Sequence, residues 1–205
     1  MALTIQTTVG PSALAAADAG NLSLRADKQG GMAVTELQAR YYEQTYRGNT
    51  FMASNTAAQA VSVALATTYT GLCLSNPLEN TKNVVLLTAG VGLTAAPAAI
   101  ASLHLITGFS KTTAVTHTTP VTPQTGLIGS RVAASALVDA AATIPTPVYS
   151  MTLMGGFTAA ALPSSPNTVF AIEGAIILSP GAFVAVGALT AVTGIFSFSW
   201  MEVPV

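Results

Sequence analysis

Apolar and polar residues alternate along much of the chain after its first fifty residues, and an alternation of period two predicts β-strands. The clearest case lies near the end of the sequence, where Phe196, Phe198 and Trp200 alternate with Ser197 and Ser199. Successive side chains of a strand point to opposite faces of the sheet. The pattern therefore predicts three aromatic side chains in the core and two serines on the outside.

Turn signals divide this part of the chain into short strands. Asn76-Pro77 and Ser179-Pro180-Gly181 are typical turn sequences, since proline fixes φ and glycine accepts positive φ. The stretch Thr112–Thr125 is rich in threonine and proline and predicts a long loop or an edge strand. The predicted strands lie at Val61–Val63, Leu72–Leu74, Val84–Leu87, Leu103–Leu105, Val148–Leu153, Val169–Ile172, Ala175–Leu178, Ala182–Leu189 and Ile195–Val203.

This series of eight to ten short strands with turns between them is typical of an all-β fold, either a β-sandwich or a barrel. With about eight strands, the jelly-roll β-sandwich is the leading choice. A doubly wound α/β fold is not expected, because strands and helices do not alternate along the chain.

Charged residues are rare and unevenly placed. Only 7% of the residues are Asp, Glu, Lys or Arg, compared with about 25% in typical soluble domains. Eight of the 15 charged residues fall within residues 1–50. We therefore predict a boundary near Phe51, between an N-terminal arm (1–50) and a jelly-roll domain (51–205). With so few charges, the domain is expected to cover its exterior with Thr, Ser and Asn and to hide part of it in an assembly.

The arm carries two candidate helices, the alanine-rich segment Ser12–Gly20 and the better candidate Met32–Tyr46. Met32–Tyr46 contains good helix formers, and Glu36 and Glu43 each stand four residues before an arginine, a spacing that stabilises helices. The tyrosines of the same segment favour a strand. The arm is therefore expected to include either a short helix or a strand-like segment.

Two long uncharged stretches, Asn83–Ser110 and Gly174–Met201, exceed the ~20 residues that a membrane-spanning helix needs. Pro97 and Pro180 interrupt them, and no clusters of Lys or Arg flank them. We interpret both stretches as buried strands joined by turns and expect no membrane association. The N-terminus lacks a basic patch followed by an apolar segment, so no signal peptide is expected. A net charge of −1 does not favour nucleic acid as a partner.

The sequence offers little catalytic chemistry. Cys73 is the only cysteine and is predicted to be a small core residue. His104 is predicted to lie on a strand and His117 in a threonine-rich loop, both without nearby carboxylates, and a metal site would need three or four ligands. No cofactor motif is present. A sugar-cleaving pair of carboxylates, with Glu173 and Glu202 as candidates, is a weaker hypothesis.

Several segments resemble jelly-roll capsid cement (decoration) proteins of tailed bacteriophages. Tyr41–Phe51 is similar to an aromatic stretch that leads to Arg-Gly-Asn and a phenylalanine before the barrel. Gly71–Pro77 followed by Lys82–Leu87 resembles a strand, an Asn-Pro turn and a second strand. Ser179–Gly181 with Phe198–Pro204 resembles a Pro-Gly turn before a closing aromatic strand. Together these segments cover about a third of the chain.

The resemblance implies a non-enzymatic virion structural protein that forms homotrimers on the outer capsid surface, binds the major capsid protein and stabilises the head. Tyrosine and arginine are favoured at interfaces, so the charged, tyrosine-rich segment of the arm is the candidate capsid contact. Its residues are Arg25, Lys28, Arg40, Tyr41, Tyr42, Tyr46 and Arg47. The alternatives are that this segment is a solvated helix packed on its own domain, and that the protein is a tail or baseplate adhesion module.

Overall fold

The computed structural model describes residues 40–157 and 167–205. In this part of the chain, the one helix, α1, spans Tyr42–Tyr46, and the remaining regular structure is strand. The strands are β1 (Thr50–Ser54), β2 (Gln59–Ala60), β3 (Thr68–Ser75), β4 (Lys82–Leu93), β5 (Ala101–Phe109), β6 (Thr116–Val121), β7 (Gln124–Thr125), β8 (Leu137–Thr143), β9 (Val148–Phe157), β10 (Asn167–Ala171), β11 (Ile177–Leu178), β12 (Ala182–Ala188) and β13 (Thr193–Pro204). Residues Tyr41–Val205 form one compact unit.

The described strands form two antiparallel sheets. The seven-stranded sheet has the order β10-β4-β13-β1-β7, with β11 also paired to β4 and β2 to β13. The six-stranded sheet has the order β6-β8-β3-β12-β5-β9. The prediction of an all-β fold is confirmed, and the two sheets pack as a sandwich around a shared core.

The main core lies between the two sheets. Phe196, Phe198 and Trp200 of β13 are at most 1% exposed, as their alternation predicts. The ring of Trp200 stacks on Phe51 of the neighbouring strand, with 6.1 Å between ring centroids. Leu74 and other alternate residues of the six-stranded sheet pack against them. Burial of these large side chains is the main source of stability for a chain with so few charges.

A second hydrophobic cluster lies on the opposite face of the six-stranded sheet. Cys73 alternates with Leu72 and Leu74 of the main core, so it points away from that core and into the second cluster. Val115 and Ile144, which flank strands β6 and β8, belong to the same cluster. Both faces of the middle of this sheet are therefore buried. The prediction that Cys73 is a small core residue is confirmed.

Most of the predicted strands are present, and several are longer than the sequence pattern indicates. The stretch read as a long loop or an edge contains β6, which lies at the edge of the six-stranded sheet. The edge alternative is therefore confirmed, while the prediction that His117 lies in a loop is wrong. Gly90 and Gly92 lie within the continuous strand β4.

Two strand predictions are wrong in their bounds. In the predicted strand Ala175–Leu178, only Ile177–Leu178 pairs with a neighbour. The predicted strand Val61–Val63 is absent, since only an isolated bridge joins Val63 to Ala188. The chain changes direction at Ala64, whose φ is 60°. The strand at this place is the shorter β2, which ends at residue 60.

Little of the predicted N-terminal arm falls within the described residues. For the segment Met32–Tyr46, the helical alternative is the one present in its described end, since α1 spans Tyr42–Tyr46. The described part of the chain contains no helix that is long and apolar enough to cross a membrane.

Candidate functional site

Five of the seven predicted contact residues lie in the described chain, on or next to α1. Arg25 and Lys28 fall outside the described residues. The helix is anchored at its C-terminal end by Asn49, whose side-chain amide donates to the Gln44 side chain at 2.9 Å. Thr50 makes a second bond, from its hydroxyl to that of Thr45, also at 2.9 Å. These bonds fix the helix on the first strand of the seven-stranded sheet.

The outward side of α1 presents two tyrosines and an ion pair. Tyr42 and Tyr46 are 46% and 66% exposed, and their rings stack at 6.2 Å with an angle of 7°. Arg47 pairs with Glu43 at 2.6 Å on the same exposed surface. Arg40 is exposed, whereas Tyr41 is half-buried at the helix N-cap. The helix therefore presents a preformed aromatic pair instead of burying it.

The loop of residues 126–134 packs against the end of this helix. The Gly126 N–H donates to the Thr50 carbonyl at 2.8 Å, and a Cβ at Gly126 would lie 3.1 Å from the Thr45 methyl group. A Cβ at Gly48 would lie 3.2 Å from a methyl group of Val132. The loop exposes three large apolar side chains of its own, namely Leu127, Ile128 and Val132.

We call the exposed side chains of α1 and of this loop the helix–loop surface. It contains five exposed large apolar or aromatic residues, of which Ile128 is the most exposed at 78%. The charged residues at this helix and in this loop are Arg47 and Arg131 against Glu43, an excess of one positive charge. Exposed apolar groups rimmed by arginine are typical of protein–protein contacts.

Sequence reasoning found the helix half of this surface and missed the loop half. The aromatic and arginine residues of α1 are close together in the sequence and form a visible cluster. The loop residues stand about 80 positions later, and only the fold brings them to the helix. The available signal was the apolar pair Leu127-Ile128 between two glycines, because a turn tip seldom carries two large apolar residues.

The end of the loop is held by a buried carboxylate. Glu202 of β13 is 1% exposed, and its Oε1 accepts hydrogen bonds from the Ser135 and Ala136 N–H groups at 2.7 and 2.9 Å. Its Oε2 accepts a bond from Lys82 Nζ at 3.2 Å. Because β13 belongs to one sheet and residue 136 leads into the other, this side chain ties the two sheets together. Glu173 lies elsewhere, in an exposed turn before β11.

A second buried carboxylate lies in the six-stranded sheet. His117 Nδ1 stands 2.5 Å from Asp139 Oδ2, so the expectation that the histidines lack nearby carboxylates is wrong for His117. Asp139 is 1% exposed and is the register partner of Cys73. The other oxygen of Asp139 has no hydrogen-bond partner among the described residues.

This group of residues does not form an activated nucleophile. Burial raises the pKa of the Cys73 thiol, and the nearby Asp139 carboxylate raises it further. A thiol needs a lowered pKa to react as a thiolate near neutral pH. Among the described residues, no cluster of three His, Cys, Asp or Glu side chains could hold a metal ion. The contact between His117 and Asp139, next to Cys73, is therefore a buried polar contact within the six-stranded sheet.

His104 is half-buried on β5 and makes only neutral contacts in the described chain. Its Nε2 lies 2.7 Å from the Ser102 hydroxyl, and its Nδ1 lies 3.1 Å from the Thr152 hydroxyl. The ring packs on Tyr149 at 5.0 Å. The prediction that His104 is a strand residue is confirmed.

Tyr69 is the largest polar side chain in the second cluster. Its hydroxyl donates to the Val186 carbonyl at 2.6 Å and lies 3.1 Å from the Leu72 carbonyl. It also lies over Gly71, where the backbone has a φ of 122° and an added Cβ would collide with the hydroxyl. Burial raises the pKa of Tyr69, and so does the nearby Cys73. Glycine at position 71 therefore makes room for this buried hydroxyl.

We expect the free energy of unfolding to fall at alkaline pH. Free Cys and Tyr side chains have reference pKa values of 9.0 and 10.0, so above these values the unfolded chain releases protons that folded Cys73 and Tyr69 keep. Each such group lowers the free energy of unfolding by about 1.4 kcal/mol per pH unit. Below about pH 8 the two groups contribute almost none of this pH dependence. Urea unfolding between pH 8 and pH 11 measures the slope.

The Tyr69→Phe variant separates the contribution of this hydroxyl. At pH 8 it should be less stable than the wild type by about 1 kcal/mol, since a buried hydrogen bond is lost. Above pH 10 the free energy of unfolding of the variant should fall less steeply than that of the wild type. The two slopes should differ by about 1.4 kcal/mol per pH unit, the contribution of one ionising group. Equal slopes in the two proteins would contradict the assignment of the alkaline loss to Tyr69.

Comparison with known proteins gives no relative from which a function could be transferred. No family model matches the chain. No curated protein and no solved structure matches it.

Proposed function

We propose that this protein is a virion structural subunit of the capsid cement class, which binds the outer surface of a virus head as homotrimers and reinforces it. The observation that carries the proposal is the helix–loop surface. It presents stacked tyrosines, exposed aliphatic residues and arginines, and hydrogen bonds to Thr50 hold both its helix and its loop to the sandwich.

The order of pairing supports a jelly roll as the finer description of the fold. We set aside β6 and β8, which extend one end of the six-stranded sheet, and the two-residue strands β2, β7 and β11. The remaining eight strands are β1, β3, β4, β5, β9, β10, β12 and β13. The first pairs with the last, the second with the seventh, the third with the sixth, and the fourth with the fifth. Such nesting is what a long antiparallel hairpin gives when it rolls into two sheets, and jelly rolls are common in viral capsid domains.

The scarcity of charge on the sandwich gives further support. Residues 51–205 contain seven charged residues, and two of them, Asp139 and Glu202, are buried. A domain that works as a free monomer normally covers its surface with mixed charges. A subunit that spends its working life in an assembly does not need them, because part of its surface is covered by neighbours.

Weak individual contacts suffice for such a role. Copies that are linked in an oligomer bind a lattice with several contacts at once, and the effective concentration of the second contact raises the total affinity. The excess of arginine on the helix–loop surface favours an acidic patch on the major capsid protein as its partner. No catalytic step is required.

The test measures binding to heads purified from the virus that encodes this chain, after removal of the native protein. We expect saturable binding with hundreds of copies per head, counted by quantitative mass spectrometry. Ile128→Asp and Tyr46→Ala should each weaken binding by about tenfold or more, since both remove exposed groups of the contact. Ile100→Asp is the matched control, because Ile100 is 69% exposed outside the helix–loop surface.

Three outcomes would contradict the proposal. The first is absence of the protein from purified heads. The second is equal binding by the Ile128→Asp variant and its control. The third is a copy number of tens or fewer per particle, which would favour the alternative of a tail or baseplate adhesion module.

A further inference from the structure

Among the described residues, none of the outward-facing strand residues of the seven-stranded sheet is charged. The exposed Glu173 lies in the turn between β10 and β11, at the border of this face. Alternation assigns each strand residue to the core side or the outer side, and burial agrees with that assignment on β13. We call this surface the uncharged face. The outward residues that matter below are Met52, Gly90, Gly92, Val169, Ile195 and Ser197.

The uncharged face carries both a trough and apolar ridges. In the sheet, Gly90 lies between Val169 and Ser197, and Gly92 lies beside Ile195. The Ser197 hydroxyl occupies the space that a Cβ at Gly90 would need. Beside this filled position lies a shallow trough of about 340 Å³, whose lining includes Gly92, Val169, Ile195 and Ser197. The side chains of Val169 and Ile195 rise on its two sides and are 70% and 42% exposed.

We propose that copies of this chain associate with one another through the uncharged face, with the apolar ridges of each copy seated over the glycine trough of the next. The inference shares with the proposed function only the need for partner copies, and it makes no use of the helix–loop surface. It identifies the part of the sandwich that holds an oligomer together.

The charge pattern favours a second copy over an unrelated partner. Residues close to a symmetry axis meet the same residues of the other copies, so charged groups there would face identical charges and repel. The uncharged face avoids this repulsion for a twofold or a threefold axis. Because ridge and trough lie on one face, each copy supplies both halves of the contact.

The size of the face also fits an interface between copies. From Ile195 to Val203, β13 spans about 30 Å, and neighbouring strands add about 4.8 Å each. The four strands β10, β4, β13 and β1, of which β10 and β1 are shorter, give a projected area of roughly 500 Å². The accessible area is larger than the projected area because the side chains protrude from the sheet. Specific interfaces bury about 600–1,000 Å² per partner.

The test compares the mass of the full chain in solution with that of charge variants, without any virus particle present. Val169→Lys and Ile195→Lys place a cation on exposed positions of the face, and Met52→Lys does so at a third position that is 45% exposed. Light scattering and sedimentation over a concentration series give the assembly mass. We expect the wild type to be oligomeric. In the double variant Val169→Lys, Ile195→Lys, the dissociation constant of the oligomer should be at least about 100-fold higher, since like charges then meet across the contact.

Ile100→Lys is the matched control, because it adds the same charge at an exposed position away from the face. It should assemble like the wild type, and circular dichroism should show all variants folded. The inference is overturned if the wild type stays monomeric at the highest concentration, or if the double variant keeps the wild-type mass. An oligomer that dissociates only on Ile128→Asp would place the contact on the helix–loop surface instead. A monomeric wild type would also contradict the homotrimer of the proposed function, whereas a double variant that keeps the wild-type mass overturns this inference alone. Failure to bind heads would leave the oligomer result unaffected.

Discussion

Replacing Glu202 by leucine is expected to lower the free energy of unfolding by about 3–5 kcal/mol, the usual cost of breaking a buried charge contact by removing one partner. Two backbone N–H groups, of Ser135 and Ala136, donate to one oxygen of this carboxylate, and Lys82 donates to the other. Leucine fills a similar volume and accepts none of these bonds. In the variant, the N–H group of Ala136, a fully buried residue, has no acceptor from Glu202, and an unsatisfied buried donor destabilises the folded state.

Urea unfolding followed by tryptophan fluorescence measures this loss, because Trp200 is the only tryptophan and lies two residues away. The Glu202→Leu, Lys82→Met double variant shows which partner matters. Lys82 is 33% exposed at its side chain, so water can solvate it, and the double variant should recover little stability. Recovery of most of the stability would instead identify the ion pair as the main contribution. Glu79→Gln removes an exposed carboxylate and serves as the control.

The fold class could be predicted from the sequence because its signals are local. Alternation on β13 and the turns at Asn76-Pro77 and Ser179–Gly181 depend only on neighbouring residues. Strand β8 gave no such signal. Its sequence, Leu137–Thr143, contains three alanines and an aspartate, which have low strand propensity. It is a strand because β3 and β6 pair with its two sides.

The candidate sites also differ in whether their contacts join residues that are near or distant in the sequence. Tyr42 and Tyr46 are one helical turn apart, so their stacking follows from local spacing. The contact between His117 and Asp139 joins residues that are 22 positions apart and depends on the register of β6 against β8. Nothing in the local sequence encodes that register.

Glu202 illustrates the limit most clearly. An acid near the end of the last strand is normally solvated, and the sequence offers no partner close to it. In the fold Glu202 stands two residues after Trp200, so both side chains point inward from β13. Its carboxylate lies next to the segment where the chain leaves the helix–loop surface and enters β8. Both its burial and its bonds to Ser135 and Ala136 require contacts between segments about 66 residues apart. Pattern reasoning identifies the inward direction of such a residue but not its partners.

The Trp200→Ala variant is expected to lose about 3–5 kcal/mol of the free energy of unfolding, as is typical when a large buried aromatic residue is truncated. Trp200 is fully buried between the sheets and stacks on Phe51. Its removal leaves a cavity that the paired strands on both sides cannot close, because the ladder fixes their spacing. Circular dichroism must follow unfolding here, since the variant has lost the only fluorescent tryptophan.

Two comparisons make this result specific to the interior of the sandwich. Ser197→Ala lies on the outer face of the same strand and should cost less than about 1 kcal/mol. Trp200 Nε1 also lies 3.5 Å from Glu202 Oε1, so the losses of Trp200→Ala and Glu202→Leu should not add, and their coupling should be about 0.5–3 kcal/mol. Strict additivity would mean that the aromatic core and the carboxylate that holds the loop are independent. A measured coupling would mean that packing between the sheets and the position of the helix–loop surface depend on each other.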